Sequence, residues 1–400
     1  MAFFMSNTDA EEKRLGIYIH IPFCRSKCEY CDFYSVGGSW ERRVTDDYLQ
    51  ALADHIREAG RLAPNHLVDT IYFGGGTPSY FGADNLCRIL DEIHRAFRLA
   101  PQMEITLEAN PDSVSIKSLK KLIHAGFNRI SIGVQSDDDA MLKKLGRPHT
   151  FQQAKQAMEM ARKAGFANIS LDLMYGLPNQ NRTSWENTVR NVISLRPEHI
   201  SCYALKVEEG TPLWNYKDCA GLPDDDVQAD MYIAACQILA ESGYQHYEIS
   251  NFCKKGFESR HNLKYWLGGE YIGFGPTAAS DFAGKRYTII RDLQGYIDAI
   301  AKKGPVLSEC ESIPQRERAG EYVMLRLRTS FGINAEEYER QYLMPFEPLE
   351  QMLERFAEKG YAKYENKCWK LTENGFLVSN RIIMGLQEQQ ERSTPLAKKR

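Results

Sequence analysis

The sequence predicts an α/β protein built on parallel strands, with a separate helical module at its carboxyl end. Three observations carry this: six β-then-α units follow one another, the polar motifs cluster at the carboxyl ends of the strands, and the pattern changes to helices and one hairpin after Arg318. Consecutive parallel strands need crossover connections, which the intervening helices supply. Two architectures satisfy that order, a curved partial barrel and a doubly wound open sheet, and both place chemistry at strand carboxyl ends.

The first strand, Gly16 to Phe23, runs into a loop in which Cys24, Cys28 and Cys31 follow a C-x3-C-x2-C spacing. A closed zinc site takes four ligands and an electron-transfer cluster takes four thiolates. Three thiolates suit a four-iron cluster with one iron left open to a ligand. Half of a zinc site, its fourth ligand elsewhere, is the alternative on spacing alone.

Helical spacing covers Thr45 to Ala59, and Val68 to Phe73 is an apolar strand ending in Gly74-Gly75-Gly76-Thr77-Pro78. Glycines there let backbone N–H groups approach a ligand that any side chain would obstruct. Neither the Walker pattern nor G-x-G-x-x-G is present. Helix Asp84 to Phe97, strand Glu104 to Leu107, helix Ile116 to Ala125 and strand Arg129 to Gln135 come next. Helices from Asp138 and from Phe151 toward Lys163, strand Ile169 to Met174, helix Ser184 to Leu195 and strand His199 to Ala204 complete the run.

A long helix, Asp226 to Ser242, and a short strand at Tyr247 to Ile249 precede Gly268 to Gly284, whose glycine content predicts loop. Helices at Tyr322 to Leu327, Ala335 to Gln341 and Pro348 to Lys359, then a hairpin from Tyr361 to Leu371 turning near Asn366, form a winged-helix-like module. The expected divisions are a flexible start (1–14), the barrel (15–243), a connecting region (244–317), the winged-helix-like domain (318–385) and a solvated tail (386–400).

Composition narrows the function. Four hundred residues with 43% hydrophobic and 26% charged residues describe a globular chain with a large core. A net charge of -3 argues against bulk capture of nucleic acid, and the helix PLEQMLERFAEK is as acidic as it is basic. No apolar run spans a bilayer and the amino terminus lacks a signal peptide's apolar stretch, so a cytoplasmic location is expected. There the ten cysteines stay reduced or bind metal. Cys202, Cys219, Cys236 and Cys253 recur every 17 residues, but their neighbours share nothing and the recurrence is read as coincidence.

The cysteine spacing, the preceding Tyr18-x-His20-x-Pro22-Phe23 and the glycine run resemble the radical S-adenosylmethionine superfamily. The resemblance implies a partial (β/α)6 TIM-like barrel, a [4Fe-4S] cluster on Cys24, Cys28 and Cys31, and S-adenosylmethionine on its open iron. Glu108 in LEANPD, Gln135 in GVQS, Arg147 in GRPH and Asp172 in LDLMYGLP resemble motifs of the oxygen-independent coproporphyrinogen oxidases and their relatives. By that resemblance Tyr18, Tyr30, Gly75, Gly76, Thr77, Glu108, Gln135, Arg147 and Asp172 line the S-adenosylmethionine site. Phe33 stands where the oxidases carry a fourth motif cysteine, a departure that matches heme chaperones of the HemW type.

The run His261-Asn262-Leu263-Lys264-Tyr265-Trp266 resembles the H-N-x-x-Y-W motif of that branch and implies heme binding by His261, Asn262, Tyr265 and Trp266, with Cys253 a second candidate ligand. Imidazole is a common axial ligand for heme iron. The implied partners are heme and apo-hemoprotein clients such as respiratory cytochromes at a membrane face; nucleic acid is not expected, and homodimer formation is left open. No residue is assigned a catalytic role. The alternatives are a coproporphyrinogen III dehydrogenase and a metal-containing nucleic-acid-binding regulator.

Overall fold

A computed structural model of the chain describes residues 13–219 and 221–396. Most of the expected flexible start, and the basic end Ala397 to Arg400, lie outside these. Lys13 and Arg14 belong to the first strand, not to a flexible start.

The six expected units are present as β1 (Lys13–Ile21), α1 (Arg42–Leu62), β2 (His66–Gly75), α2 (Ala83–Ala96), β3 (Arg98–Ala109), α3 (Ile116–Ala125), β4 (Arg129–Gln135), α4 (Phe151–Ala164), β5 (Asn168–Tyr175), α5 (Arg182–Ser194) and β6 (His199–Ala204). Strands β1 to β6 are parallel neighbours in chain order. A doubly wound sheet needs a reversal of strand order, and none occurs from β1 to β6. Parallel crossovers follow the right-handed rule, which places the helices between β1 and β6 on one side with the sheet curling away from them.

Strand alternation then sorts the side chains. Ile17, Ile19 and Ile21, Ile71 and Phe73, Ile105 and Leu107, Ile130 and Ile132, Leu171 and Leu173 belong to the apolar core beneath the helices. The alternate positions turn Tyr18, Tyr72, Glu108, Arg129, Ser131, Asp172 and Ser201 toward the concave side. The barrel interior is therefore polar, which is stable only where hydrogen bonds replace water.

After α6 (Asp225–Glu241), β7 (Gln245–Glu248) and β8 (Asn251–Cys253) extend the sheet antiparallel beyond β6. Helix α7 (Arg260–Trp266) carries the H-N-x-x-Y-W run. The glycine-rich stretch Gly268 to Gly284 is not loop throughout. It holds β9 (Tyr271–Phe274), parallel to β1, and β10 (Ala279–Phe282), continued by β11 (Lys285–Ile289) and, after α8 (Leu293–Ala301), β12 (Leu307–Ser312). Among the described residues the sheet has twelve strands and runs through the stretch expected to connect domains.

The carboxyl-terminal unit comprises α9 (Gln315–Arg326), α10 (Ala335–Tyr342), α11 (Glu347–Glu358), the hairpin β13 (Ala362–Glu365) and β14 (Cys368–Leu371), α12 (Glu373–Leu377) and α13 (Ser379–Arg392). Its hairpin turns at Asn366 and Lys367, both at positive φ, as a tight two-residue connection requires. Helix α13 corrects the expected tail, because Leu386 and Gln390 are buried and Gln390 donates to the Arg316 carbonyl at 2.9 Å. The unit docks through Ile249 N–H to the Arg328 carbonyl and Ser330 N–H to the Tyr247 carbonyl, each 2.9 Å. Among the described residues no helix is long and apolar enough to cross a membrane.

Candidate cofactor cavity

The cysteine loop leaves β1 and is closed by backbone bonds, with side chains adding to them at its flanks, among them His20 Nε2 on the Tyr34 carbonyl at 2.9 Å. Phe23 and Cys24 pair with Val36 and Gly37, Val36 N–H donates to the Pro22 carbonyl at 2.7 Å, and Cys31 N–H to that of Cys28 at 3.2 Å. The glycine run is fastened against it, with Gly76 N–H on the Ile21 carbonyl at 2.7 Å and Thr77 N–H on that of Phe23 at 2.8 Å. A Cβ on Gly76 would lie 2.8 Å from those same two carbonyl oxygens, and one on Gly75, at φ 106°, would lie 2.7 Å from the His20 ring. Both positions require glycine.

Cys24, Cys28 and Cys31 line a cavity of about 490 Å³ together with Tyr30, Gly75, Gly76, Thr77, Glu108, Gln135, Arg147 and Asp172. No fourth cysteine lines it among the described side chains. Nor do any three His, Cys, Asp or Glu side chains among them converge as they would to grip a single metal ion. The three thiols share one wall of the cavity. Phe33 lines the same cavity and is 68% exposed at its rim.

Behind the thiols runs a hydrogen-bonded chain that links cysteines to strand ends. Arg147 donates from Nη2 to Asn110 Oδ1 at 2.8 Å and to the Gly133 carbonyl at 2.7 Å, and from Nη1 toward Cys28 Sγ at 3.6 Å. Asn110 donates to Thr77 Oγ1 at 3.4 Å, and that hydroxyl lies 3.3 Å from Cys24 Sγ. Asn110 was not picked out by sequence, although it sits in the LEANPD motif. Gln135 ends β4 at φ 69°, a left-handed conformation that glycine favours and glutamine rarely adopts.

The carboxylates are half-buried in the cavity wall and held by neutral donors. Glu108 accepts from Tyr72 OH at 2.7 Å and from Gly75 N–H at 3.3 Å. Burial pushes its pKa up to about 7, against the opposing Tyr72 hydrogen bond and with the help of nearby Asp172. Asp172 accepts from the hydroxyls of Ser131 at 2.9 Å, Ser170 at 3.1 Å and Ser201 at 2.7 Å; burial still raises its pKa. These serines are further residues that the motif reading passed over.

The Glu108 shift has a measurable consequence. The folded carboxyl holds its proton to about pH 7 whereas the ordinary value is 4.5, so the folded state binds the extra proton between these values and stability falls as pH rises through them. Wild type is expected to lose on the order of 3 kcal/mol relative to Glu108→Gln across that window. Taking the difference cancels Glu248, also raised to about 7, and the buried histidines. Parallel unfolding free energies from pH 4.5 to 7 would remove the shift from Glu108.

Two expected groups lie elsewhere. Tyr18 is not part of the cavity lining; its ring stacks on Tyr72 with centroids 6.2 Å apart and its hydroxyl bonds His20 Nδ1 at 3.2 Å. His261 is fully buried, with Nδ1 on Thr70 Oγ1 at 2.9 Å and Nε2 on Tyr265 OH at 2.8 Å. Burial drives its pKa down to about 3, so the ring is neutral and both nitrogens are engaged. In this conformation neither nitrogen is open to an iron atom. Tyr265 and Trp266 are half-buried and outside the cavity lining, and Asn262 alone of the four expected heme residues faces the cavity. Cys253, fully buried on β8, does not line it either.

The Radical SAM superfamily signature matches residues 18–192, and that of the HemN C-terminal domain matches residues 313–378. The chain is 36% identical over 372 residues to the heme chaperone HemW of Bacillus subtilis, covering 92% of this chain and 97% of the relative. It is 35% identical over 369 residues to HemW of Escherichia coli, with the same two coverages of 92% and 97%. Among solved structures it is similar to the coproporphyrinogen III oxidase HemN of Escherichia coli, with a TM-score of 0.82 at 24% identity, over 94% of this chain and 90% of that one. That likeness concerns the fold: an α/β core with a central sheet, closed by the HemN-type terminal domain. With a three-thiol loop, a polar barrel interior and relatives matched over nearly their whole length, the chain belongs to the HemW heme chaperone family of the radical S-adenosylmethionine superfamily.

Proposed function

We propose that the chain binds heme and passes it to apo-hemoproteins, and that its cavity holds a [4Fe-4S] cluster on Cys24, Cys28 and Cys31 with S-adenosylmethionine beside it. One observation carries the second statement: three thiols share a wall at the carboxyl ends of parallel strands, and no further cysteine among the described side chains lines the cavity to close a fourth corner. The chain's own groups suit the ligand. Arg147, Glu108 and Asp172 are charged or chargeable groups within reach of an amino acid carboxylate, an ammonium and ribose hydroxyls. Glycines at 75 and 76 leave backbone where a side chain would collide.

When bound, the cluster and S-adenosylmethionine together supply one-electron reductive cleavage of a sulfonium. The protein's part is to hold, orient and exclude water. Arg147 and Thr77, each within reach of a cysteine sulfur, place hydrogen-bond donors beside thiolates, which favours the negative form.

The heme-chaperone reading rests on the family and on Phe33, which leaves the loop without the extra motif cysteine. Clients such as respiratory cytochromes at a membrane face follow as the expected recipients. His261 serves this reading by position: its bond to Thr70 ties α7 to β2, its bond to Tyr265 lies within α7, and the neighbouring Asn262 lines the cavity. The test is paired. Anaerobically reconstituted protein given coproporphyrinogen III and a reductant is expected to yield no vinyl product, while heme titration gives a saturable Soret band. Vinyl product at catalytic turnover would replace the chaperone with the oxidase.

A further inference from the structure

The concave face of the barrel holds a cation, Arg129, whose N–H groups are left open although the Glu104 and Asp172 carboxylates act on its charge from nearby. Arg129 opens β4, and strand alternation turns it inward with Ser131 and Gly133, away from the helices that Ile130 and Ile132 meet. It is 1% exposed and lines the cavity, yet its Nε and Nη1 have no hydrogen-bond partner. The carboxylates on the flanking strands are committed elsewhere. Glu104 accepts Arg260 N–H at 3.1 Å and His261 N–H at 3.0 Å, where α7 begins. Asp172 is taken by three serine hydroxyls. Thr106, directly opposite Arg129 in the β3–β4 register, is fully buried with its hydroxyl also unpartnered. A buried guanidinium with open N–H groups is costly unless an anion meets it, and a carboxylate is the group its geometry matches.

We propose that Arg129 forms a carboxylate-receiving subsite in the cavity wall. Two ligands expected here carry that group: a tetrapyrrole through its propionates, and S-adenosylmethionine through its methionine end. The first source rests on the heme reading above; the second does not. Arg147 already stands beside the cysteine loop, so the two arginines divide the cavity, one by the thiols and one on the inner wall of β4.

The experiment uses the full chain with its cluster reconstituted anaerobically, as wild type, Arg129→Gln and Arg129→Lys. Heme, heme dimethyl ester and S-adenosylmethionine are each titrated. Wild type is expected to prefer heme to the ester by about tenfold. In R129Q that preference collapses toward one, because heme weakens and the ester does not, while S-adenosylmethionine is unaffected; the bound group is then a propionate. A loss confined to S-adenosylmethionine supports the subsite with the methionine carboxylate as occupant. A merely structural arginine would weaken heme and ester alike, and that result, or unchanged affinity for heme and S-adenosylmethionine, overturns the proposal. Should wild type bind no heme, the heme reading fails and the S-adenosylmethionine arm alone decides the subsite. If R129Q does not fold, R129K carries the same titrations; lysine lacks the planar fork, so a smaller selective loss is expected and none would overturn the subsite.

Discussion

Serine in place of any one of Cys24, Cys28 or Cys31 is expected to take the bound iron of reconstituted protein from about four per chain to near zero. A cube held at three corners has no spare ligand, and a serine hydroxyl is a poor donor to iron beside a thiolate. The loop itself should survive the change. Its closure depends on backbone bonds from Val36 to Pro22, from Gly76 to Ile21 and from Leu213 to Glu29, at 2.7, 2.7 and 2.8 Å. Far-ultraviolet dichroism and the melting temperature of the iron-free variants should therefore match those of iron-free wild type. Cys202, Cys236 and Cys253, buried under or beyond the barrel wall and absent from the cavity lining, provide the controls, and their serine variants should keep full iron. Iron retained by Cys24→Ser would show that the loop is not the cluster's holder.

The second large effect is on stability. His261→Ala strips partners from the Thr70 hydroxyl and the Tyr265 hydroxyl at once and opens a hole beside Tyr72, whose ring stacks on the imidazole at 5.2 Å. A buried and a half-buried hydroxyl left unpaired, with the hole, amount to a loss of about 3 kcal/mol, read from the denaturant midpoint. The Soret position of bound heme should not move, because the imidazole is engaged on both nitrogens. A shifted Soret band with stability intact would instead make His261 an iron ligand and require α7 to release it on binding.

These expectations show where sequence and structure part company. The strands, the cysteine loop and the strand-end motifs were readable because period-2 alternation and fixed spacings are local properties. The strands β9 and β10 were hidden by glycine, which marks turns in most contexts. At Gly273 it marks close approach instead: a Cβ there would lie 2.4 Å from the Ala279 carbonyl oxygen, so the strand needs the glycine that disguises it. Helix α13 ends in QEQQER, a sequence that reads as solvated, and only tertiary contact reveals that Gln390 faces inward to Arg316.

The site was half legible for a similar reason. Motifs named Glu108, Gln135, Arg147 and Asp172, all of which line the cavity. The groups that hold them, Asn110, Ser131, Ser170 and Ser201, are common polar residues whose importance comes from distance alone. Arg129 entered the sequence reading only as the first residue of a strand; the structure shows RISIGVQ alternating polar and apolar residues in a strand buried almost throughout. Alternation of that kind in a strand with no solvent face signals a polar interior. His261 went the other way, a motif residue whose packing closes the imidazole that the motif seemed to offer.

The decisive measurement is electron–nuclear double resonance on the reduced cluster, recorded anaerobically with and without S-adenosylmethionine labelled with 15N and 17O in its methionine end, alongside iron and sulfide content. Three cavity thiols predict about four irons per chain, one of them magnetically coupled to the labelled nitrogen and oxygen. Full zinc loading, or a cluster blind to the labels because a protein side chain fills its last corner, would contradict the account.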